Sequence, residues 1–277
     1  MDRRSSGQDT SNAGSAADVA DATDANQAVE RARACASPGR DPVATRPLLT
    51  MTDVLLSSGF LAFARHTGFL AAVEAAGLDV DAVTGTSSGA VVGALWAAGH
   101  DHARIAAELG QHRPIDFFRV HRRPWRGLVS LEALIAWLRP LLPARFEDLP
   151  RPFAVGVVAA GQGHRLLRAG PLPEAVAASC AIPGIFAAVD VDGLRCSDGG
   201  AADRLGLAAF RAWRPDTEVV AHQVARSHGR DQPFDDPGCW RVETPRSGAK
   251  FWDLGDFVGQ IDETRATVAA ALAARGK

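Results

Sequence analysis

Tyrosine is absent from this chain of 277 residues, so no phenolic acid or base is available to it. Long apolar runs are also missing, and the sequence predicts no membrane-spanning helix. Charge of one sign does not dominate. The formal net charge is −2, which gives no global field for nucleic acid or for an acidic surface. Cysteine is scarce and scattered, at Cys35, Cys180, Cys196 and Cys239. No pair has metal-ligand spacing, so no cysteine metal site is expected, whereas a reduced, cytoplasmic setting with buried thiols is. The first 50 residues lack aromatics altogether and hold eleven alanines, seven acidic and six basic residues. Such a segment cannot bury enough apolar surface to offset its ordering entropy, so residues 1–50 are expected to be a disordered leader. It has no apolar core of a secretory signal, and its acids argue against a transit peptide. Met51 stands as an alternative start. Residues 51–277 suit one α/β domain with a sizeable core.

What is present alternates between strand and helix signals. Short apolar runs at Val54 to Ser57 and Val80 to Val83 predict strands. Helical periodicity follows each, from His66 to Ala76 before Gly77, and from Ala90 to Ala98 before Gly99. Asp101 caps a third helix reaching Leu109. This order predicts a mostly parallel central sheet with helices on both faces. The rhythm breaks between His112 and Pro150, apart from a helix at Ser130 to Leu138. Phe153 to Ala160 reads as a central strand and His164 to Arg168 as an edge strand paired to it. Pro173 suits the first turn of a helix running to Cys180. A hairpin across Asp192-Gly193 and a strand at Glu218 to Val224 follow. Ser227 to Asp253, rich in proline, glycine and charge, reads as a long loop. A last amphipathic helix is expected from Asp256 to Ala274.

The chemistry concentrates at Gly85-Thr86-Ser87-Ser88-Gly89, between a strand and a helix. A serine between two glycines on such a turn is the pattern of a nucleophile elbow, with the hydroxyl raised above the sheet and helix-start N–H groups beside it. Two readings of its base are open. One is a Ser-His-Asp triad using His222 or His228. The other is a Ser-Asp dyad using Asp198, where Asp198-Gly199-Gly200 ends a strand and the carboxylate takes the serine proton directly. The same triplet also serves as a solvated turn. An oxyanion needs backbone donors, which Ser57-Ser58-Gly59-Phe60 after the first strand and the N–H of Ser88 can supply.

These residues resemble the patatin-like phospholipase family over roughly Asp53 to Leu207. Gly85 to Gly89 matches the family's G-x-S-x-G, and Asp198-Gly199-Gly200 its D-G-[GA]. Ala178-Ser179-Cys180-Ala181-Ile182-Pro183-Gly184-Ile185-Phe186 is similar to the family's segment ahead of that aspartate. The resemblance implies a three-layer α/β/α fold, Ser87 as nucleophile and Asp198 as base of a dyad. It implies lipid acyl-ester hydrolysis of the phospholipase A or lysophospholipase kind. Gly59, Phe60 and Ser88 would then form the oxyanion hole. The family's G-G-G-x-R-G loop departs here to Ser58, Gly59, Phe60, Leu61, Ala62 and Phe63. Only the second glycine survives, and Ala62 stands in the arginine position. A degenerate homologue that binds acyl lipid or a protein partner without turnover is the alternative. A nucleotide-binding module is disfavoured, since neither G-x-G-x-x-G nor a glycine–lysine phosphate loop is present.

Two further groups have expected roles. Arg113 to Arg126 carries five arginines among Phe117, Phe118 and Trp125. No helical or strand period organises the segment, which favours an insertion with its aromatics packed inward over peripheral contact with an anionic lipid surface through Arg119, Arg122, Arg123 and Arg126. His66 and His222 are expected to be structural, and Asp203 and Arg204 to hold the turn after Asp198 through local hydrogen bonds.

Overall fold

The computed structural model describes residues 52–120, 129–226 and 235–275. The leader expected over 1–50, Met51, Arg122, Arg123, Trp125, Arg126 and His228 lie outside them.

The chain opens with β1 (Thr52–Leu56), α1 (Phe63–Ala75), β2 (Val80–Thr86), α2 (Ser88–Ala97) and α3 (His102–Gly110). Gly77 and Gly99 follow their helices at positive φ, and the Asp101 side chain caps α3 by accepting from the Arg104 N–H. A 3-10 turn at Pro114–Phe117 leads into a short antiparallel pair, β3 (Arg119–Val120) and β4 (Val129–Ser130), and then α4 (Glu132–Leu138). Next come β5 (Phe153–Ala159), β6 (Gly163–Leu167), α5 (Leu172–Ser179), β7 (Val189–Val191) and β8 (Leu194–Asp198). The last elements are α6 (Leu207–Trp213), β9 (Glu218–Val224), β10 (Cys239–Thr244) and α7 (Phe257–Arg275).

One sheet organises these elements, in the order β10-β9-β1-β2-β5-β8-β7, with β6 also paired to β5. Strands β10, β9, β1, β2 and β5 run parallel, and β6, β7 and β8 are antiparallel additions at the β5 side. The β7–β8 hairpin turns at Asp192 and Gly193, both at positive φ, as a two-residue turn requires.

Alternation along β1 shows the layering. Val54 and Leu56 join the larger core with Phe69, Leu95 and Val176 from α1, α2 and α5. Leu55 faces the other way, into a smaller core with Val219, Ala221 and Phe210 of α6. The sheet therefore lies between two unequal helical layers, an α/β/α arrangement. Helix α7 packs on α1 and sends Val268 into the larger core.

One expectation is overturned. The stretch read as a loop from Ser227 to Asp253 contains β10, which pairs with β9 over six residues. Its Cys239, Val242 and Thr244 are buried while Arg241 and Glu243 are not. An edge strand needs only part of its length to be apolar, so the surrounding proline, glycine and charge hid it. Helix α1 also begins three residues ahead of the expected His66, directly after the loop at Ser58 to Ala62.

Candidate active site

The site is built along β5. Strand β6 pairs with β5 from Val155 to Ala159, so it occupies one edge over those five residues. The other edge is shared. β2 pairs with its first part, ending at Thr86 opposite Gly156, and β8 pairs with the remainder, where Asp198 lies opposite Val157. The two strands thus meet end to end, and the residues leaving them are Ser87 and Asp198. Gly156 marks the junction, because a Cβ there would stand 2.4 Å from the Thr86 hydroxyl.

Ser87 takes φ 55° and ψ −120°, a strained backbone for a residue with a side chain, and α2 starts at the next residue. Its N–H donates to the Ser179 hydroxyl at 2.8 Å, and Ser179 donates in turn to the Gly156 carbonyl at 2.6 Å. A side chain at the end of α5 therefore ties the elbow to β5. The elbow glycines are demanded by close approach. A Cβ on Gly85 would lie 2.3 Å from the Gly89 carbonyl oxygen, and one on Gly89 2.5 Å from that of Leu56.

Asp198 is 5% exposed. Its Oδ1 accepts the Gly200 N–H at 2.7 Å, and its own N–H donates to Ala181. Burial pushes its carboxyl up to about 6 from 3.8, only partly opposed by hydrogen bonds from the Ser87 hydroxyl and the Gly200 N–H. Gly199 and Gly200 are pressed against other chain segments. Added Cβ atoms would meet the Gly156 carbonyl and the Ser58 hydroxyl, each at 2.4 Å. The Asp198 turn is packed on β5 and on the loop after β1, not solvated.

That loop borders the same cavity as Ser87. The Ser88 hydroxyl donates to the Gly59 carbonyl at 2.7 Å, fixing the loop to the start of α2. Among the described residues, no acceptor within the protein takes the Gly59 or Phe60 N–H. The Ser88 N–H, in the first turn of α2, has no intrahelical partner. The positive φ in the loop falls on Leu61, at 48°, the position where the family's loop has no fixed residue. Gly59 is needed for space, since its Cβ would come within 2.7 Å of the Ala62 Cβ.

Arg204 does more than the local role expected of it. While Asp203 accepts the Leu205 and Gly206 N–H groups, the Arg204 guanidinium reaches across to the Ser58 carbonyl at 2.5 Å, the Ser58 hydroxyl at 3.2 Å and the Val224 carbonyl at 2.6 Å. The Ser58 N–H returns a bond to the Arg204 carbonyl. Sequence spacing carries no signal of this clamp, because Ser58 and Arg204 lie far apart in the chain. Ser179 falls in the Ala178 to Phe186 segment, whose pattern gives no sign of its bridging role.

Ser87 and Asp198 open onto a cavity of about 320 Å³ whose walls include Phe117, Phe118, Leu134 and Phe186, with Phe60 and Phe251 nearer the surface. His66 and His222 do not line it. They lie behind the loop, fully buried, with their Nδ1 atoms 2.9 Å apart and His222 Nε2 2.8 Å from the Thr244 hydroxyl. Burial lowers both, His66 to about 3, so both rings are neutral at ordinary pH. Among the described residues no cluster of His, Cys, Asp and Glu could hold a metal ion, and no helix is long and apolar enough to cross a membrane.

A mostly parallel sheet whose β2 ends in a strand–serine–helix elbow, set against a buried carboxylate on an apolar cavity, defines the protein as α/β with a serine elbow. Within that class the chain belongs to the patatin-like phospholipase family, whose model matches residues 54–211. Uncharacterized NTE family proteins of Mycobacterium bovis and Mycobacterium tuberculosis are 29% identical over 213 residues. The match covers 75% of this chain and 59% of those proteins, so the chain spans about three fifths of their length. Among solved structures, VipD from Legionella pneumophila overlays with a TM-score of 0.49 at 12% identity, covering 81% of this chain and 67% of that one. The type III effector protein ExoU overlays at 0.38 and 14%, covering 81% and 53%.

Proposed function

We propose that the domain spanning residues 51–277 is a serine acyl-ester hydrolase acting on lipids, of the phospholipase A or lysophospholipase kind, through a Ser87–Asp198 dyad. The observation that carries this reading is the shared edge of β5, which delivers a strained serine and a desolvated carboxylate to the same apolar cavity. Asp198 takes the Ser87 proton as Oγ attacks the ester carbonyl. The tetrahedral oxyanion is held by the N–H groups of Gly59, Phe60 and Ser88, which cost no reorganisation if already in place. Collapse breaks the ester C–O bond, and Asp198 returns its proton to the leaving alcohol. Asp198 then deprotonates water, which attacks the acyl-enzyme and frees the fatty acid and Ser87. A carboxylate raised to about 6 is ionised at neutral pH and is a stronger base than a solvated one. The acyl chain lies among Phe117, Phe118 and Phe186, and the chemistry calls for no cofactor.

The second reading, lipid binding without turnover, draws on the glycine-poor loop and the strained Leu61. A fluorophosphonate probe separates the two. Turnover requires that the wild type be labelled and hydrolyse phospholipid, lysophospholipid or short-ester substrates, and that Ser87→Ala and Asp198→Ala do neither. An unlabelled, inactive wild type that still binds acyl lipid would establish the second reading in place of the first.

A further inference from the structure

The described residues include six large apolar side chains that are exposed, namely Phe60, Ile115, Val120, Ile185, Trp252 and Val258. Scattered exposure of this kind is ordinary, but four of the six belong to segments that wall the cavity. Phe60 is itself part of the cavity wall. Ile115, Ile185 and Trp252 each adjoin a wall residue in the chain, whereas Val120 lines a separate hollow with Trp137. The segments are physically joined. The Ile115 N–H donates to the Phe251 carbonyl at 2.7 Å, the Phe60 and Phe251 rings meet edge to face at 5.1 Å, and the Val129 N–H donates to the Ile185 carbonyl at 3.3 Å. Phe118 touches both Phe186 and Phe251. Four separate parts of the chain thus place their exposed apolar residues on one rim, continuous with the cavity wall.

We infer that this rim is a docking face for a lipid surface, an inference that rests on the lipid-hydrolase reading above. The rim borders the cavity that holds Ser87, so a second copy or protein partner seated there would cover it. A lipid layer instead becomes the source of what enters, since an acyl chain leaving it stays among apolar side chains all the way to Ser87. The charges at the rim agree. Arg113, Arg119, Arg226 and Lys250 are exposed on the segments around the cavity, against Asp116, which is paired with Arg113, and Asp253, and this positive excess suits anionic headgroups. Rim side chains such as Trp252, 63% exposed, would gain by entering the headgroup–acyl boundary.

The test uses the full chain carrying Ser87→Ala, which removes turnover, and flotation with vesicles of phosphatidylcholine mixed with phosphatidylglycerol. The protein should float, and adding Ile185→Ser with Trp252→Ser should cut its partition by about ten-fold or more. Neither residue lines the cavity, so the same pair introduced beside an intact Ser87 should leave the melting temperature and hydrolysis of a soluble short-chain ester unchanged. Flotation that ignores the two substitutions would overturn the docking face. So would a concentration-dependent dimer that the substitutions dissolve. Rim-dependent flotation of a chain that hydrolyses no ester would sustain the docking face while removing the hydrolase reading.

Discussion

Replacing Asp198 by asparagine should make the protein more stable while abolishing its proposed activity. The carboxyl is held at about 6 in the folded protein against 3.8 when solvated, chiefly by desolvation. A raised carboxyl pKa means that the folded state keeps its proton more tightly than the unfolded chain. The resulting stability is complete below pH 3.8 and is lost as pH rises to about 6. Above that, an ionised Asp198 costs about 3 kcal/mol relative to a neutral group in its place. Asparagine is nearly isosteric, and its oxygen can still accept the Gly200 N–H. Asp198→Asn should therefore raise stability at about pH 8 by as much as ~3 kcal/mol, or ~6–12 °C in melting temperature for a domain of this size. At about pH 4 the gain should vanish, because aspartate is then neutral as well. His66 sharpens the test. Its pKa is lowered to about 3, so its contribution runs the other way and is lost as pH falls from 6.5. In the wild type the two oppose each other through the mildly acidic range. Without Asp198, stability should decline on acidification by ~1.4 kcal/mol per pH unit for each such histidine proton. Calorimetric or denaturant melts of both proteins across this range decide the matter. A variant that melts no higher than wild type at about pH 8 would refute the idea that Asp198 is a desolvated base.

The same pKa sets the rate. Hydrolysis of a soluble short-chain ester, followed as kcat/KM, should rise with pH and reach half its plateau near 6, and a flat profile through that region would dismiss Asp198 as the base. Arg204→Ala should lower kcat by about 10²-fold with little change in KM, because the loop carrying the proposed Gly59 and Phe60 donors loses its clamp. Arg204→Lys should recover only part, since a point charge cannot span the Ser58 and Val224 carbonyls together. Ser179→Ala strands the Ser87 N–H and the Gly156 carbonyl, so about 1–3 kcal/mol of stability should go in a denaturant melt, together with most of the fluorophosphonate labelling rate. Gly89→Ala drives a Cβ to 2.5 Å from the Leu56 carbonyl oxygen and should cost about 2–3 kcal/mol in the same assay, whereas Gly77→Ala, with open space around it, should lose only the smaller penalty of its positive φ.

The elements that show in the sequence are those with a local cause. Periodicity and glycine stops mark α1 and α2, Asp101 marks the start of α3, and Asp192-Gly193 marks the β7–β8 turn. The wholly apolar run at Phe153 to Ala159 declares itself a central strand, because it is flanked by partners on both edges. β10 did not show, since an edge strand with arginine and glutamate between its buried residues resembles the loop around it. At the site, the elbow and the Asp198 turn carry their own short patterns. The clamp from Arg204 to Ser58, the Ser179 bridge and the placing of positive φ on Leu61 have no local pattern. They arise where distant strands end side by side, and only the register of the sheet brings them together.

β5 acts as a ruler for the site. The serine and the carboxylate come from distant parts of the chain, and what sets the gap between them is the number of β5 residues that β2 uses before β8 takes over. Two residues inserted at Gly156 would keep every β5 side chain on its own face yet slide the two strand ends apart by roughly 6–7 Å. The gap between Ser87 and Asp198 is thus written in a strand that supplies neither of them. Neither half of the chain holds the proposed site until both strands have zipped against that common edge.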